Sequence, residues 1–151
     1  MRPDASLHRH QRGLPLVTGK RLVLVSAVAL LDGEGRVLLA ERPAGKSLAG
    51  LWEFPGGKVE PDESPETALA RELTEELGIL TREADFTPLA FASHSYEAFH
   101  LLMPLYACRI WQGTPTGREG QRLDWASATS LDTYPMPPAD LPLLPALRAL
   151  L

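Results

Sequence analysis

Alternating apolar and polar segments in the first half of the chain predict a series of strands joined by turns. Leu22 to Leu31 is a nearly continuous apolar run with several β-branched residues, and its length favours a buried strand over a helix. Residues 32–35 (DGEG) have the composition of a turn, so Val37 to Ala40 is predicted to be the return strand of a hairpin. A short strand, Leu51 to Phe54, follows, and residues 55–57 (PGG) are predicted to end it.

The clearest helix signal lies between residues 64 and 78. Ser64 is a favourable N-cap, and Pro65 stands at the first helical position. Gly78 stands where a left-handed residue ends a helix. One side of this segment carries an apolar stripe made of Leu69, Ala70, Leu73 and Leu77. The helix is therefore expected to pack on the core through this side.

The second half of the chain predicts two further strands, near Phe86 to Ser93 and His100 to Trp111. Pro104 has no N–H to donate to a sheet, so we expect the second strand to be bulged or at a sheet edge there. The proline-rich tail ends in a short apolar helix, Ala146 to Leu151. Strands on both sides of one strong helix predict an α/β fold in which a mixed sheet carries helices on its faces.

The composition is that of an ordinary globular domain. The 151 residues carry 15 Lys and Arg against 19 Asp and Glu, a net charge of −4, and 44% of them are hydrophobic. The longest apolar run is about half the length of a membrane span, and Cys108, the only cysteine, cannot form an internal disulfide. These features argue against membrane, disulfide-stapled and disordered proteins, and they predict a cytoplasmic protein.

The charges are unevenly distributed along the chain. Residues 1–21 contain five basic residues and one acidic residue, which predicts a flexible basic N-terminal arm before a domain spanning residues 22–151. A transit peptide is the alternative, but the segment shows no clear amphipathic period. Because the chain is acidic overall and has no basic stripe, we expect neither a nucleic acid nor a membrane as partner. We expect a monomer or a weak homodimer.

The segment from Glu53 to Glu76 is strongly acidic, with eight acidic and two basic residues. Within it, Glu72, Glu75 and Glu76 share one side of the predicted helix, where like charges repel one another by roughly 0.2–0.5 kcal/mol per pair. A divalent cation would compensate, and an all-oxygen site suits Mg²⁺ or, as a substitute, Mn²⁺. Gly56 has no side chain, so its carbonyl can approach the same ion. The alternative is a plain solvated acidic surface.

These residues also resemble a known family. Gly57, five residues, Glu63, seven residues and then residues 71–79 (RELTEELGI) resemble the box of the Nudix hydrolases without a mismatch. Outside the box, similarity to the MutT-like branch extends through residues 39–43 (LAERP), 50–58 (GLWEFPGGK), 117–121 (GREGQ), Trp125 and 137–142 (PPADLP). The resemblance implies an α/β/α sandwich with a mixed sheet between helices. It also implies cleavage of a nucleoside triphosphate to a monophosphate and pyrophosphate, with 8-oxo-dGTP as the favoured substrate.

The resemblance implies a role for each acidic residue. Glu72 would be a metal ligand and the base that activates water, and Glu75 and Glu76 would be metal ligands. Glu119 would be a further ligand or an alternative base, and the sequence leaves these roles open. Arg71 would orient Glu72 through charge-assisted hydrogen bonds, with a simple ion pair to Glu75 as the alternative. Glu63 would steady this arrangement from the preceding loop.

The resemblance also implies a substrate site. Arg42 and Lys58 are candidate phosphate contacts, although either could be an ordinary surface charge, and Ser47 and Glu53 complete the predicted set. The base would lie near Phe54, Tyr96 and Asp140.

Asp140 departs from the bacterial MutT pattern, which commonly has Asn there. An ionised Asp only accepts hydrogen bonds, whereas Asn also donates them. A protonated, buried Asp140 would act like Asn, and a simple helix N-cap is the alternative. The substrate could therefore be another nucleotide, such as a modified dCTP. A Nudix-fold ligand sensor without catalysis is a remote alternative, because such modules typically lose the box carboxylates.

Overall fold

The computed structural model describes residues 20–151. In chain order its elements are β1 (Arg21–Leu30), β2 (Val37–Glu41), β3 (Trp52–Glu53), β4 (Gly56–Lys58), α1 (Pro65–Leu77), a 3-10 helix (Glu83–Asp85), β5 (Thr87–Ser95), β6 (Phe99–Cys108), β7 (Leu123–Ala126), two more 3-10 helices (Leu131–Thr133 and Leu141–Leu143) and α2 (Leu144–Arg148). Arg21, which we expected in the arm, begins β1. Most of the predicted arm, residues 1–19, lies outside the described residues.

The strands form two sheets. The larger has the order β4-β1-β6-β5 and is mixed, because β1 and β6 run parallel while the other neighbours run antiparallel. The smaller is antiparallel, with the order β3-β2-β7. The predicted mixed sheet with helices on its faces is confirmed. None of the described helices is long and apolar enough to cross a membrane.

Alternate residues of the central strands face two separate cores. Val28 and Leu30 of β1 pack with the leucines of α1, whereas Ala27 and Ala29 pack with Leu144 and other residues of the α2 region. This alternation follows from the two-residue period of a strand, which sends successive side chains to opposite faces. The sheets therefore lie between α1 and α2, and α1 is fixed against one face.

The predicted hairpin between β1 and β2 is wrong. The turn itself is built as expected, because the Asp32 carboxylate accepts hydrogen bonds from the backbone N–H groups of Glu34 and Arg36 at 2.9 Å. However, a single bridge, Leu31 to Val37, joins the two strands before they separate into different sheets. Since β4 and β6 already flank β1, that strand has no free edge for β2.

Residues 55–57 end β3, as predicted, but two of them also belong to a strand that we did not predict. Gly56 and Gly57 begin β4, which pairs with β1 in the other sheet. The carbonyl of Pro55 accepts a hydrogen bond from the N–H of Val28 at 2.9 Å, so the crossing between sheets is itself hydrogen-bonded. The chain thus carries Gly56 to the side of the larger sheet on which α1 packs.

Two further expectations need correction, and one further strand was not predicted. We expected the strand containing Pro104 to be bulged or at an edge there. It lies instead between β1 and β5, and its pairing with β1 is interrupted at Pro104, since the pairing passes from Leu102 directly to Leu105. The tail helix covers Leu144–Arg148, earlier than predicted, and β7 is the further strand that was not predicted.

Candidate active site

Helix α1 begins and ends where the sequence predicts. The Ser64 hydroxyl accepts a hydrogen bond from the N–H of Thr67 at 3.0 Å, and Gly78 closes the helix with φ of 70°. Leu69, Leu73 and Leu77 are fully buried against the sheet. Because the leucines fix the rotation of the helix, they also fix the direction of its glutamates.

Two glycines of β4 lie directly against the side of α1 that carries Glu72, Glu75 and Glu76, which we call the glutamate face. The N–H of Gly56 donates a hydrogen bond to Glu76 Oε2 at 3.2 Å. A Cβ atom on Gly57 would lie 2.3 Å from the Cδ of Glu72, so any other residue at this position would displace that carboxylate. Gly56 therefore lies beside the glutamates, as predicted. The contact with Glu76 is made by its N–H group, whereas the prediction concerned its carbonyl.

Arg71 connects the loop before the helix to the glutamate face. Its Nε and Nη2 donate to the two carboxylate oxygens of Glu63 at 2.7 and 2.8 Å, a paired arrangement that fixes the guanidinium plane. Its Nη1 donates to Glu72 Oε1 at 3.0 Å and to Glu75 Oε2 at 3.4 Å. Both contacts considered from the sequence are thus present, and the one to Glu72 is shorter.

The acidic groups fall into two electrostatic classes. Hydrogen bonds from Arg71 and from the backbone of Glu60 lower the pKa of Glu63 to about 2. Burial, reinforced by the negative charges of Glu72 and other acids, raises the pKa of Glu76 to about 8. Burial also raises the pKa of Glu72, although Arg71 opposes this effect. The outer acid is thus held ionised, whereas burial disfavours ionisation of Glu76 and, against the opposing effect of Arg71, ionisation of Glu72.

This donor set fits a divalent cation that prefers oxygen ligands. The glutamate face offers two half-buried carboxylates, Glu72 and Glu76, and the exposed Glu75, with no thiolate or imidazole among them, which is the ligand chemistry of Mg²⁺ or Mn²⁺. As the side chains stand, no three acidic, His or Cys groups within residues 20–151 are close enough to hold an ion. Binding would therefore require some of these side chains to rotate.

Glu119 approaches the same face from the loop before β7. It lines a cleft of about 160 Å³ together with Glu53 and Glu76. Its charge contributes to raising the pKa values of both Glu72 and Glu76, which places it within electrostatic range of the helix. The structure thus brings the acid outside the predicted helix to the acids on it.

Basic residues also line this cleft. Arg42 Nη1 contacts Glu53 Oε1 at 3.2 Å, and its Nε donates to the carbonyl of Ser47 at 2.7 Å. Lys58 does not line the cleft, and its carbonyl instead accepts a hydrogen bond from Arg71 at 3.3 Å. The cleft is also lined by three charged or polar residues that we did not predict: Glu41, Lys46 and Gln121. Lys46 could have been found from the sequence, because it lies only four residues after Arg42.

The three residues expected near the base are differently exposed. Asp140 is 4% exposed, and burial together with the charge of Glu53 raises its pKa to about 7. Burial raises the pKa of the Tyr96 phenol, and the negative charge of Asp140 raises it further. Phe54 is buried in the core on the α2 side and offers little surface to a ligand. The alternative of a simple N-cap is wrong for Asp140, because its side chain makes no capping hydrogen bond.

The chain is similar to a family model, to two named proteins and to a solved structure. The sequence model described as NUDIX domain matches residues 26–146. CTP pyrophosphohydrolase of Escherichia coli (strain K12) is 46% identical over 124 residues, covering 81% of this chain and 89% of that protein. 8-oxo-dGTP diphosphatase of Haemophilus influenzae is 36% identical over 132 residues, covering 83% and 90%. The crystal structure of the MutT NUDIX hydrolase from Burkholderia pseudomallei superposes with a TM-score of 0.74 at 30% identity, covering 84% and 98%.

Proposed function

The chain belongs to the NUDIX domain family, and we propose that it is a Mg²⁺-dependent nucleoside triphosphate pyrophosphohydrolase, with 8-oxo-dGTP as its leading substrate. Membership makes it a hydrolase acting on phosphorus-containing anhydrides, and the resemblance to the MutT-like branch is confirmed. The observation that carries the proposal is that Glu72, Glu76 and Glu119 lie within electrostatic range of one another beside a cleft that Arg42 and Lys46 also line.

Each acid of the glutamate face has a place in this proposal. Glu72, Glu75 and Glu76, with Glu119 and the carbonyl of Gly56, would hold the cation. Bound Mg²⁺ supplies positive charge that lets a polyphosphate enter an acidic cleft and that polarises phosphorus toward attack. Mn²⁺ is the expected substitute.

We assign proton abstraction from the attacking water to Glu72. Its raised pKa favours this role, because a carboxylate whose pKa lies nearer to neutrality is a stronger base than an ordinary one. Arg71 holds the carboxylate in place while Glu63 fixes Arg71. Glu119 is the alternative base, and its exposed position in the loop gives it access to the same cleft.

The remaining residues would bind the nucleotide. Arg42 and Lys46 line the cleft and would contact phosphate oxygens, while Glu53 and Ser47 would position Arg42. Lys58 does not line the cleft. With a pKa of about 7, Asp140 is partly protonated near neutral pH, and it can then donate as well as accept a hydrogen bond. This supports recognition of an oxidised guanine despite the absence of Asn, with Tyr96 beside it.

A second candidate substrate is CTP or a modified dCTP. Two observations favour it: the relative at 46% identity is named CTP pyrophosphohydrolase, and Asp140 stands where the MutT pattern commonly has Asn. An acid that exchanges its proton can match the amino group of cytosine as well as the N–H groups of a purine. Both candidates share the same cleavage chemistry and differ in the base.

A nucleotide panel tests the proposal. We would measure turnover of 8-oxo-dGTP, dGTP, CTP and 5-methyl-dCTP, with pyrophosphate and orthophosphate both quantified. We expect pyrophosphate alone, a dependence on Mg²⁺, and the highest kcat/KM for 8-oxo-dGTP. A higher value for CTP would transfer the assignment to the second candidate, and equal values for 8-oxo-dGTP and dGTP would remove selectivity for oxidised guanine.

The variant Glu72→Gln tests the role of the glutamate face. We expect it to fold with an unchanged circular dichroism spectrum and to lose hydrolysis by at least about 100-fold, as general-base catalysis contributes roughly 10²–10⁴-fold. Glu34→Gln, at an exposed carboxylate in the turn after β1, is the matched control and should retain full activity. Full activity of Glu72→Gln would contradict the assignment, and Glu119→Gln would then be the next variant to measure.

A further inference from the structure

The C-terminal end of helix α1 and the loop that carries Glu119 are joined by hydrogen bonds. The last carbonyls of an α-helix have no partner within the helix and need donors from elsewhere. The N–H of Thr116 donates to the carbonyl of Leu77 at 3.0 Å, and the N–H of Arg118 donates to the carbonyl of Glu76 at 3.0 Å. The loop thus completes the helix that holds the glutamate face.

Gln121 makes this connection specific to the acids of the site. Its Nε2 donates to the carbonyl of Glu76 at 3.1 Å, while its Oε1 accepts from the N–H of Glu119 at 2.8 Å. Both partners fix the orientation of the amide, because a carbonyl can only accept and an N–H can only donate. One side chain therefore bridges the backbone of an acid on the helix and the backbone of an acid on the loop.

The two ends of the loop that carries Glu119 lie close together. A Cβ atom on Gly117 would lie 2.1 Å from the carbonyl oxygen of Gln121, so the backbone on the two sides of Glu119 is in direct contact. The guanidinium of Arg118 lies over Gly78, where an added Cβ would lie 2.4 Å from its Nε. The loop is therefore closed at its base, and the side chain of Gln121 adds a hydrogen bond to the Glu119 amide beyond that base.

We propose that Gln121 is a positioning residue that holds Glu119 against the glutamate face of α1, so that the loop and the helix act as one cation site. This inference rests on the proposed function for its catalytic consequence. It gives Gln121 no contact with the substrate, although it lines the cleft. Groups that orient metal ligands through hydrogen bonds typically change metal affinity or activity by about 10–100-fold when they are removed.

The test uses Gln121→Met, which keeps the length and shape of the side chain and removes both hydrogen bonds. In the protein without nucleotide, we expect NMR to show that the amide of Glu119 exchanges its hydrogen about 5- to 10-fold faster, which corresponds to the loss of one hydrogen bond. We expect Mn²⁺ affinity measured by calorimetry to fall about 10-fold. Gln121→Ala should give the same direction if Met packs poorly, and Gln112→Ala, at an exposed glutamine outside the cleft, should change neither quantity.

Kinetics separate positioning from a purely structural role or from substrate contact. We expect Gln121→Met to lower kcat about 10-fold, with the KM for nucleotide within about twofold at saturating Mg²⁺. In a Glu119→Gln background the same substitution should have little further effect, because the two residues act as one unit.

Three results would overturn the inference: unchanged exchange of the Glu119 amide, a raised nucleotide KM with normal kcat, or effects of Gln121→Met and Glu119→Gln that simply add. A wild-type protein that hydrolyses no nucleotide overturns the proposed function alone, because amide exchange and Mn²⁺ affinity still decide the role of Gln121.

Discussion

Replacing Asp140 by Asn should stabilise the protein at alkaline pH. Asp140 is 4% exposed, and burial, with a further contribution from the charge of Glu53, raises its pKa from 3.8 to about 7. The folded state therefore binds a proton that the unfolded state releases between about pH 4 and pH 7. Stability falls as pH rises through this window, because the folded state holds more protons than the unfolded state.

The magnitude follows from the size of the shift. A pKa raised by about three units corresponds to about 4 kcal/mol of destabilisation at pH 8, where Asp140 is ionised in both states. Asn has the same shape and no charge, so Asp140→Asn removes this cost. Some relaxation around the ionised carboxylate reduces the difference, and we expect a gain of about 2–4 kcal/mol at pH 8 that falls below about 1 kcal/mol at pH 4.

Urea unfolding between pH 4 and pH 8.5 measures this difference. Asp62→Asn, at an exposed position in the loop before α1, is the matched control and should stay within about 0.5 kcal/mol of wild type throughout. A gain for Asp140→Asn that is the same at pH 4 and pH 8 would refute the reasoning, since a neutral amide then stabilises for another reason. A loss of stability at pH 8 would refute it as well.

Two further substitutions test the local geometry. Arg71→Lys loses the paired hydrogen bonds to Glu63, and we expect kcat to fall about 10–100-fold in a nucleotide hydrolysis assay. Arg82→Lys, at an exposed ion pair, is the control and should have no effect. Gly56→Ala would place a Cβ 1.9 Å from the backbone oxygen of Ser26, so we expect the free energy of unfolding, measured with urea, to fall by about 3 kcal/mol. Gly33→Ala is the control and should leave stability unchanged, because a Cβ there would have nothing within 4 Å. Normal activity of the first variant or normal stability of the second would contradict the geometry described here.

The helix and its acids could be predicted because their signals are local. Ser64, Pro65 and Gly78 act within a few residues of themselves, and the leucine stripe determines which side of the helix is buried. Once that side is known, the direction of the glutamates follows from helical geometry alone. Arg71 was also predictable, because its partners precede and follow it within one turn or one short loop.

Strand partners could not be predicted in the same way. The turn at residues 32–35 has the composition of a hairpin, yet β1 is flanked by β4 and β6, which come from distant parts of the chain. The same is true of Pro104, whose strand is central because β1 and β5 both pair with it. β7 is four residues long, and its pairing with β2 rather than its own pattern makes it a strand.

The protonation state of Asp140 is the clearest case of a property that composition leaves open. From sequence alone, Asp140 is either an ionised acceptor, an N-cap or a protonated group, and nothing adjacent to it in the chain decides among these. The fold decides by burying it within range of the charge of Glu53, a residue of β3, and by giving it no helix N–H to bind. An acid with a pKa of about 7 gains or loses its proton readily, because neither state costs much at neutral pH. In the base site that we propose, Asp140 would therefore present a donor to one base and an acceptor to another, so that the burial of this one carboxyl group would determine base selectivity where the MutT pattern uses an amide.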